Sequence, residues 1–362
     1  MSPLRRTESM LGRLAGRLRS LAGHPRPDQP QRLLVIACHW VGDSLWATQV
    51  WAPLAERYGA DALWVAAPAR TTALWSAHVP PARILTVEHV VSDRRRERFS
   101  PASLLQEIAD VRRLEFDAVL DVTGNRYSAL LAASLGAWCC GPATHPWAHL
   151  YDVAIPSPPR HLAYRPFDAA RPLLGDPPAE LQPIPPPLKP GLADALRQRL
   201  SLAERPLAVL VPGAGWATKR WPAERFRGLA ERLAADHAVV ALGAPGEQPI
   251  LEQAVGPHGV ATSDLGLLES TALCGAAAVV VSNDNGLAHL AASTGARVVA
   301  LFGPTNPVRY RPLGPHVTVL RHGCPHRPEG DQEHCHDEAA HPCPASCWDE
   351  LTVERVWGAV SS

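Results

Sequence analysis

Three short segments combine flexible backbone with charge, and each follows an apolar run. The first, Cys38-His39-Trp40-Val41-Gly42-Asp43-Ser44, sets Gly42, which permits a tight turn, directly before Asp43. A carboxylate at the mouth of an α/β unit suits a general base, and it equally suits a helix N-cap. The second covers residues 211–226, where Gly213 and Gly215 let backbone approach a ligand closely and Lys219-Arg220 precede Trp221-Pro222. The third covers residues 282–307. There Asn283-Asp284-Asn285-Gly286 runs into a helical pattern, presenting backbone N–H groups and the positive end of a helix dipole to an anion. His289 lies five residues beyond Asp284, near the same mouth; a core histidine with satisfied nitrogens is the plainer reading.

The lysine usage singles out the second segment. Of 35 basic residues only Lys189 and Lys219 are lysines, leaving 33 arginines. Against that bias, a lysine among the candidate residues suggests a site where a compact ammonium fits and the guanidinium fork does not, as at a phosphate. A solvated basic pair is the alternative, and Lys189 carries no such argument.

These segments need strands and helices to hold them. Residues 32–38, 61–67, 83–87 and 116–122 read as buried strands, with helices over 44–58 and around 68–78, 101–114 and 125–136. Prolines crowd residues 156–190 and disfavour a long helix or central strand there. The alternation then resumes, with strands at 207–212, 238–243, 278–283 and 297–303 and helices at 222–236, 266–277 and 285–294. Apolar strands separated by helices indicate parallel sheets covered on both faces. The expected fold is therefore α/β, with two Rossmann-like doubly wound parallel-sheet domains facing a cleft. Its parts are a basic leader (1–31), an N-terminal Rossmann-like domain (32–170), a Pro-rich linker (171–190), a C-terminal Rossmann-like domain (191–350) and a terminal helix (351–362). Ligands in such sheets bind beyond the carboxyl ends of the strands.

Composition bounds the partners. Basic and acidic residues are equal at 35 each, so no global charge points to nucleic acid. No apolar run reaches the roughly 18–20 residues that span a bilayer, and the start lacks the unbroken apolar stretch of a signal peptide, so a cytoplasmic location is expected. Leu11, Leu14, Leu18 and Leu21 share one helical face among arginines, either resting on an anionic membrane surface or packing on the body. Cys324, Cys335, Cys343 and Cys347 stand with five histidines within 322–347, at a spacing unlike the standard zinc patterns. Reduced thiols, a structural zinc or iron, and a disulfide all remain open for them.

The three segments, in this order and at these separations, resemble glycosyltransferase family 9, the bacterial heptosyltransferases of lipopolysaccharide core synthesis. Gly42-Asp43 match the end of the family's Ser-x-x-Gly-Asp-like loop. Pro212-Gly213 and Lys219-Arg220-Trp221-Pro222 match its Pro-Gly and Lys-x-Trp-Pro motif. Asn283 to Ala291 and Val299 to Thr305 match its Asn-Asp-Ser-Gly-x-x-His-x-Ala and Val-Ala-Leu-Phe-Gly-Pro-Thr motifs. The likeness covers residues 32–357, is strongest over 207–307, and extends to a cysteine cluster near the C-terminus.

That resemblance implies a GT-B fold and an inverting sugar transfer that requires no metal or other cofactor. It implies an acceptor role for the first domain and a nucleotide-sugar role for the second. Asp43 would be the general base. Lys219 and the helix at Asn285-Gly286 would stabilise the leaving nucleoside diphosphate. Gly213, Gly215, Glu247, Asp284 and His289 would complete the donor pocket, with Glu247 on the ribose. The implied donor is ADP-heptose or a related nucleotide sugar, and the acceptor a lipid-linked or other cell-surface glycan at the inner face of the inner membrane. Two residues depart from the family pattern. Trp40 stands where a small Ser or Thr is usual, three residues before Asp43, and Asn285 replaces the usual Ser or Thr and can still hydrogen-bond a phosphate. Arg94, Arg95 and Arg96 form a basic loop that suits an anionic acceptor, or a solvated face. Two other readings of the same residues are a nucleotide-sugar epimerase or hydrolase of GT-B shape, and a non-catalytic nucleotide-sugar-binding protein.

Overall fold

Strands that are apolar without alternation must be covered on both faces, and the first of them, Leu33–Ile36, is fully buried. The computed structural model of the chain describes residues 24–88, 101–322 and 346–362. It divides between Leu181 and Gln182 into two units, each built on its own six-stranded sheet.

The first unit runs β1 (Leu33–Ile36), α1 (Val41–Thr48), α2 (Trp51–Tyr58), β2 (Leu63–Ala67), α3 (Ala69–Trp75), β3 (Ile84–Thr86) and α4 (Pro101–Arg112). It continues through β4 (Ala118–Asp121), α5 (Arg126–Ser134), β5 (Trp138–Pro142), β6 (Val153–Ile155) and α6 (Arg165–Leu174). Its strands lie in the order β3-β2-β1-β4-β5-β6, all parallel, with β1 paired to β2 on one side and β4 on the other. The chain order reverses between β1 and β4. That is the topological switch point, where the loops after two strands diverge and leave a crevice.

Two expectations change here. The single helix over 44–58 is two helices, α1 and α2, and Pro53 accounts for the break. Its ring excludes the carbonyl four residues back, that of Gln49, and it offers no N–H to bond it; the chain turns at Gln49-Val50. The Pro-rich stretch also holds regular structure, because α6 runs to Leu174 with Pro166 near its start and Pro172 inside it. Pro166 falls in the first turn, where a missing N–H is harmless.

The second unit opens with α7 (Leu192–Arg199) and β7 (Leu207–Val211), then α8 (Ala223–Leu233), β8 (Ala238–Leu242), α9 (Gln248–Val255) and β9 (Val260–Thr262). It closes with α10 (Leu267–Gly275), β10 (Val279–Asn283), α11 (Gly286–Ser293), β11 (Val298–Phe302), α12 (Pro307–Tyr310), β12 (Val317–Arg321) and α13 (Val353–Ser361). The order β12-β11-β10-β7-β8-β9 repeats that of the first sheet, with the switch point between β7 and β10. One apolar layer under this sheet gathers Trp221, Phe226, Leu229, Trp348, Leu351 and Val356, which fastens the C-terminal segment to the body. Among the described residues no helix is long and apolar enough to cross a membrane.

Candidate active site

In the second unit the candidate residues gather on the loops after β7 and β10, at the switch point. Asn283 ends β10 and ties the two loops together. Its Oδ1 accepts the Trp221 N–H at 3.0 Å and its Nδ2 donates to the Pro212 carbonyl at 2.7 Å. Asn285 is the N-cap of α11: Oδ1 accepts the N–H groups of Leu287 (3.0 Å) and Ala288 (3.1 Å), while Nδ2 donates to the Gly213 carbonyl at 2.8 Å. Both ends of that amide are engaged inside the protein, which shapes the loop between β10 and α11. His289 is half-buried in the second turn of α11.

Lys219 ends a short 3₁₀ turn, and its ammonium lies 2.5 Å from Asp284 Oδ2. Both side chains are nearly buried, at 10% and 7% exposure. The same carboxylate oxygen accepts the Thr305 hydroxyl at 2.7 Å, and the Asp284 N–H donates to the Leu301 carbonyl at 3.1 Å, so the acid is fixed at both ends. The ammonium also sits 4.4 Å from the centroid of the Trp216 ring. An ammonium has three donors, and this geometry leaves it directed by a carboxylate and an aromatic face together.

The loop carrying Lys219 rests on a segment the sequence reading did not connect with it. Trp348 Nε1 donates to the Thr218 carbonyl at 3.0 Å, Trp221 Nε1 donates to the Leu351 carbonyl at 2.6 Å, and Arg225 donates to the carbonyls of both Trp348 and Leu351. Trp348 also fills the space beside Gly303, where a Cβ would strike its ring. Glu247 precedes α9, and its Oε2 accepts the Ala244 N–H at 2.8 Å. Its carboxylate lies against Gly213 so closely that a Cβ on that glycine would collide with it, whereas a Cβ on Gly215 would meet nothing.

In the first unit Asp43 is the third residue of α1, where a helix dipole favours negative charge. It is not the N-cap: Trp40 holds that position and makes no side-chain capping bond. Trp40 is 51% exposed, with the Arg70 guanidinium 4.6 Å from its ring centroid. His39 Nε2 lies 3.0 Å from the Val122 carbonyl, so that nitrogen carries the proton and donates. Burial, and then the nearby Arg165 charge, hold the His39 ring down to about 3 against the opposing effect of the Val122 bond, so it is neutral near pH 7.

A buried network, also missed in the sequence, sits on the loop after β4. Asp121 Oδ1 accepts the N–H groups of Thr123 (2.8 Å) and Gly124 (3.1 Å), and Oδ2 accepts the Tyr151 hydroxyl at 2.6 Å. Burial raises the Asp121 carboxyl even so. His145 Nδ1 accepts the Trp147 N–H, leaving Nε2 to donate to the Tyr151 oxygen at 3.1 Å. Burial first, then Arg165, lowers that ring to about 4. The available signal was an aspartate closing the apolar run 116–121.

Arg94, Arg95, Arg96, Cys324, Cys335 and Cys343 lie outside the described residues, as does most of the leader. Cys347 is described, buried in the apolar layer beside Trp348. Among the described residues no three His, Cys, Asp or Glu side chains are grouped to hold a metal.

The motif-bearing loops and the paired sheets agree with what comparison with known proteins finds. Residues 105–339 match the sequence profile of glycosyltransferase family 9 (heptosyltransferase). The chain belongs to that family. Lipooligosaccharide heptosyltransferase 2 of Haemophilus influenzae is 33% identical to it over 136 residues, covering 34% of this chain and 39% of that protein. The match therefore spans well under half of that relative's length. Among solved structures, ADP-heptose lps heptosyltransferase II of Escherichia coli superposes with a TM-score of 0.72 at 22% identity, covering 91% of this chain and 97% of that one. An Escherichia coli heptosyltransferase solved with ADP gives 0.66 at 20% identity, covering 91% and 99%. The fold of this family member is accordingly the GT-B fold, with two doubly wound parallel sheets.

Proposed function

We propose that the chain is an inverting glycosyltransferase moving a heptose from ADP-heptose to a lipopolysaccharide-core or other cell-surface glycan acceptor. The observation that carries this reading is the buried Lys219–Asp284 pair beside the N-terminus of α11. Nucleotide loss from a sugar places negative charge on the departing phosphate, and a fixed ammonium with a helix dipole stabilises that charge where it develops. Asp284 and Thr305 hold the ammonium in place, so little reorganisation is needed at the moment of bond cleavage. Glu247, locked over Gly213, takes hydrogen bonds from the ribose hydroxyls. The relative solved with ADP supports an adenosine diphosphate leaving group.

In the first unit Asp43 removes the acceptor hydroxyl proton as the oxygen attacks the anomeric carbon, a role worth roughly 10²- to 10⁴-fold in rate. The anomeric carbon gains the acceptor oxygen and loses the phosphate oxygen, the proton passes to Asp43, and configuration inverts. The transfer itself needs no metal. Whether Cys324, Cys335, Cys343 and Cys347 hold a structural zinc or iron is a separate question that element analysis of the purified protein answers. The reading sets the protein in the cytoplasm, with its basic leader toward the anionic inner face of the membrane.

The test is ADP release from ADP-heptose with a core-oligosaccharide acceptor. Asp43→Asn should lower kcat by about 10²- to 10⁴-fold and leave ADP affinity unchanged. Near-full turnover by Asp43→Asn removes the base assignment, and equally fast donor consumption without acceptor replaces transfer with hydrolysis or epimerisation.

A further inference from the structure

Two turns meet at Asp284 Oδ2. One carries Lys219, whose ammonium lies 2.5 Å away, and the other carries Thr305, whose hydroxyl donates to it at 2.7 Å. The turns follow different strands, β7 and β11, and a third element lies against both. The Thr218–Lys219 peptide is held at its two ends: the carbonyl accepts Trp348 Nε1–H at 3.0 Å, and the N–H donates to the Trp216 carbonyl at 3.2 Å. The benzene half of the same indole lies against Gly303, the first residue after β11 and two before Thr305. A Cβ added at Gly303 would stand 2.5 Å from Trp348 Cζ2 and 2.7 Å from Cε2. Nε1, Cε2 and Cζ2 follow one another along one edge of the ring. That edge donates to the Lys219 turn and limits how closely the Thr305 turn can approach.

A buried tryptophan usually finds a partner for its N–H, so the hydrogen bond alone would be ordinary packing. Here the partner is the peptide bond of the proposed leaving-group lysine, and the second contact is with the turn that fixes the lysine's counter-ion. The indole is also held from behind. Trp348 is 3% exposed, and Arg225 of α8 donates to its carbonyl and to that of Leu351. Trp221 Nε1 donates to the Leu351 carbonyl at 2.6 Å, while the Trp221 N–H donates to Asn283 at 3.0 Å, beside Asp284. No smaller side chain reproduces both contacts of the edge: phenylalanine has no donor, and histidine has no benzene half.

We propose that Trp348 is a positioning residue for the Lys219 ammonium, holding the Lys219 and Thr305 turns at the separation at which both meet Asp284. This deepens the transfer reading and rests on it for what the aimed ammonium does to a departing diphosphate. The aiming itself rests on the contacts alone. The C-terminal segment thus acts on the donor side through Thr218 and Gly303.

The chain has only two lysines, Lys189 and Lys219, so the ammonium can be read directly. Lysine labelled with carbon-13 in the full chain gives one ε-methylene signal for each, and Lys189→Arg identifies the first by its loss. The Trp216 ring, 4.4 Å from the ammonium, should hold the Lys219 signal upfield of that of Lys189. Trp348→Phe keeps a ring in the apolar layer and removes the N–H, so the Lys219 signal should move toward the Lys189 position or broaden. Val356→Ala loosens the same layer from α13 and should leave the signal in place. With ADP-heptose and acceptor, kcat of Trp348→Phe should fall about three- to tenfold at unchanged donor KM, the size of one hydrogen bond expressed as a rate, and that of Val356→Ala less than about twofold. Should Trp348→Phe fail to fold, Gly303→Ala gives the same reading with Trp348 retained: its Cβ meets the indole edge, and the Lys219 signal should move there too. A Lys219 signal that stays in place in the folded variant, one that moves equally in Val356→Ala, or an equal kcat loss in Trp348→Phe and Val356→Ala overturns the proposal. A chain whose Lys219 signal moves as expected but which consumes no ADP-heptose fails the transfer reading and leaves the positioning of Lys219 standing.

Discussion

Replacing Lys219 by Met tests the centre of the proposed mechanism, because the structure predicts two separable effects. Lys219 and Asp284 form a contact of 2.5 Å with both side chains at a tenth exposure or less. Removing the ammonium leaves the Asp284 carboxylate buried with the Thr305 hydroxyl as its remaining side-chain partner among the described contacts. Breaking a buried pair by removing one member costs about 3–5 kcal/mol. For a unit of this size that is roughly 6–20 °C in unfolding midpoint. The catalytic loss is of a different kind: removing one preorganised donor to a developing anion costs about 10²- to 10³-fold in kcat.

A second substitution separates the two. In Lys219→Met with Asp284→Asn no charge remains buried, and replacing both members of a buried pair is often close to neutral. Thr305 can still hydrogen-bond the amide. Stability should therefore return most of the way in the double variant, while kcat stays about 10²- to 10³-fold below that of the unsubstituted chain. Thermal or urea unfolding reads the first quantity, and ADP release at saturating donor reads the second. If activity recovers in step with stability, Lys219 only folds its loop, and the leaving-group role assigned to it is wrong.

Two further outcomes follow from particular contacts. Gly213→Ala drives a Cβ into the Glu247 carboxylate and displaces it from the Ala244 N–H, so ADP affinity should fall several-fold with a stability loss of about 1–3 kcal/mol; calorimetric titration with ADP checks this, and unchanged affinity dismisses Glu247 as a donor contact. His39 is held neutral with a folded value of about 3, below the unfolded value near 6.5, so stability is complete above the unfolded value and is lost as pH falls toward 3. His145 acts in the same direction down to about 4. His39→Gln keeps an N–H for the Val122 carbonyl and does not titrate, so between pH 6.5 and 5 its stability should fall less steeply by up to about 1.4 kcal/mol per pH unit; equal slopes in urea unfolding mean that His39 titrates normally in the folded chain.

The central strands were legible because burial on both faces leaves an unbroken apolar run, as in Leu33–Ile36 and Val279–Asn283. β5 was not among them, since Gly141-Pro142 cuts short the apolar run of Trp138-Cys139-Cys140. Its glycine and proline answer to distant neighbours: the Tyr151 ring occupies the space where a Gly141 Cβ would stand, and Pro142 packs beside Gly124, whose φ of +63° suits glycine. Lys219 could be singled out by scarcity alone. Trp348 could not, because its hydrogen bond to Thr218 spans 130 positions and no local pattern announces it. Asp43 was ambiguous between base and cap, and the backbone resolves half of that by giving the cap position to Trp40.

The two sheets share one strand order but treat their switch points differently. In the second unit, the loops after β7 and β10 are bound by both ends of Asn283 and both ends of Asn285, and the ammonium is aimed by Asp284. The departure from the family pattern there, Asn285 for Ser or Thr, keeps an N-cap that still accepts two helix N–H bonds. In the proposed mechanism such a change preserves a field that must be in place before charge develops. In the first unit the departure is Trp40, which makes no cap bond and places a large exposed ring three residues before Asp43. In the proposed transfer the conservative change falls on the donor side and the radical one three residues before the proposed base, so donor binding should follow the family pattern and the acceptor side is where a difference is expected.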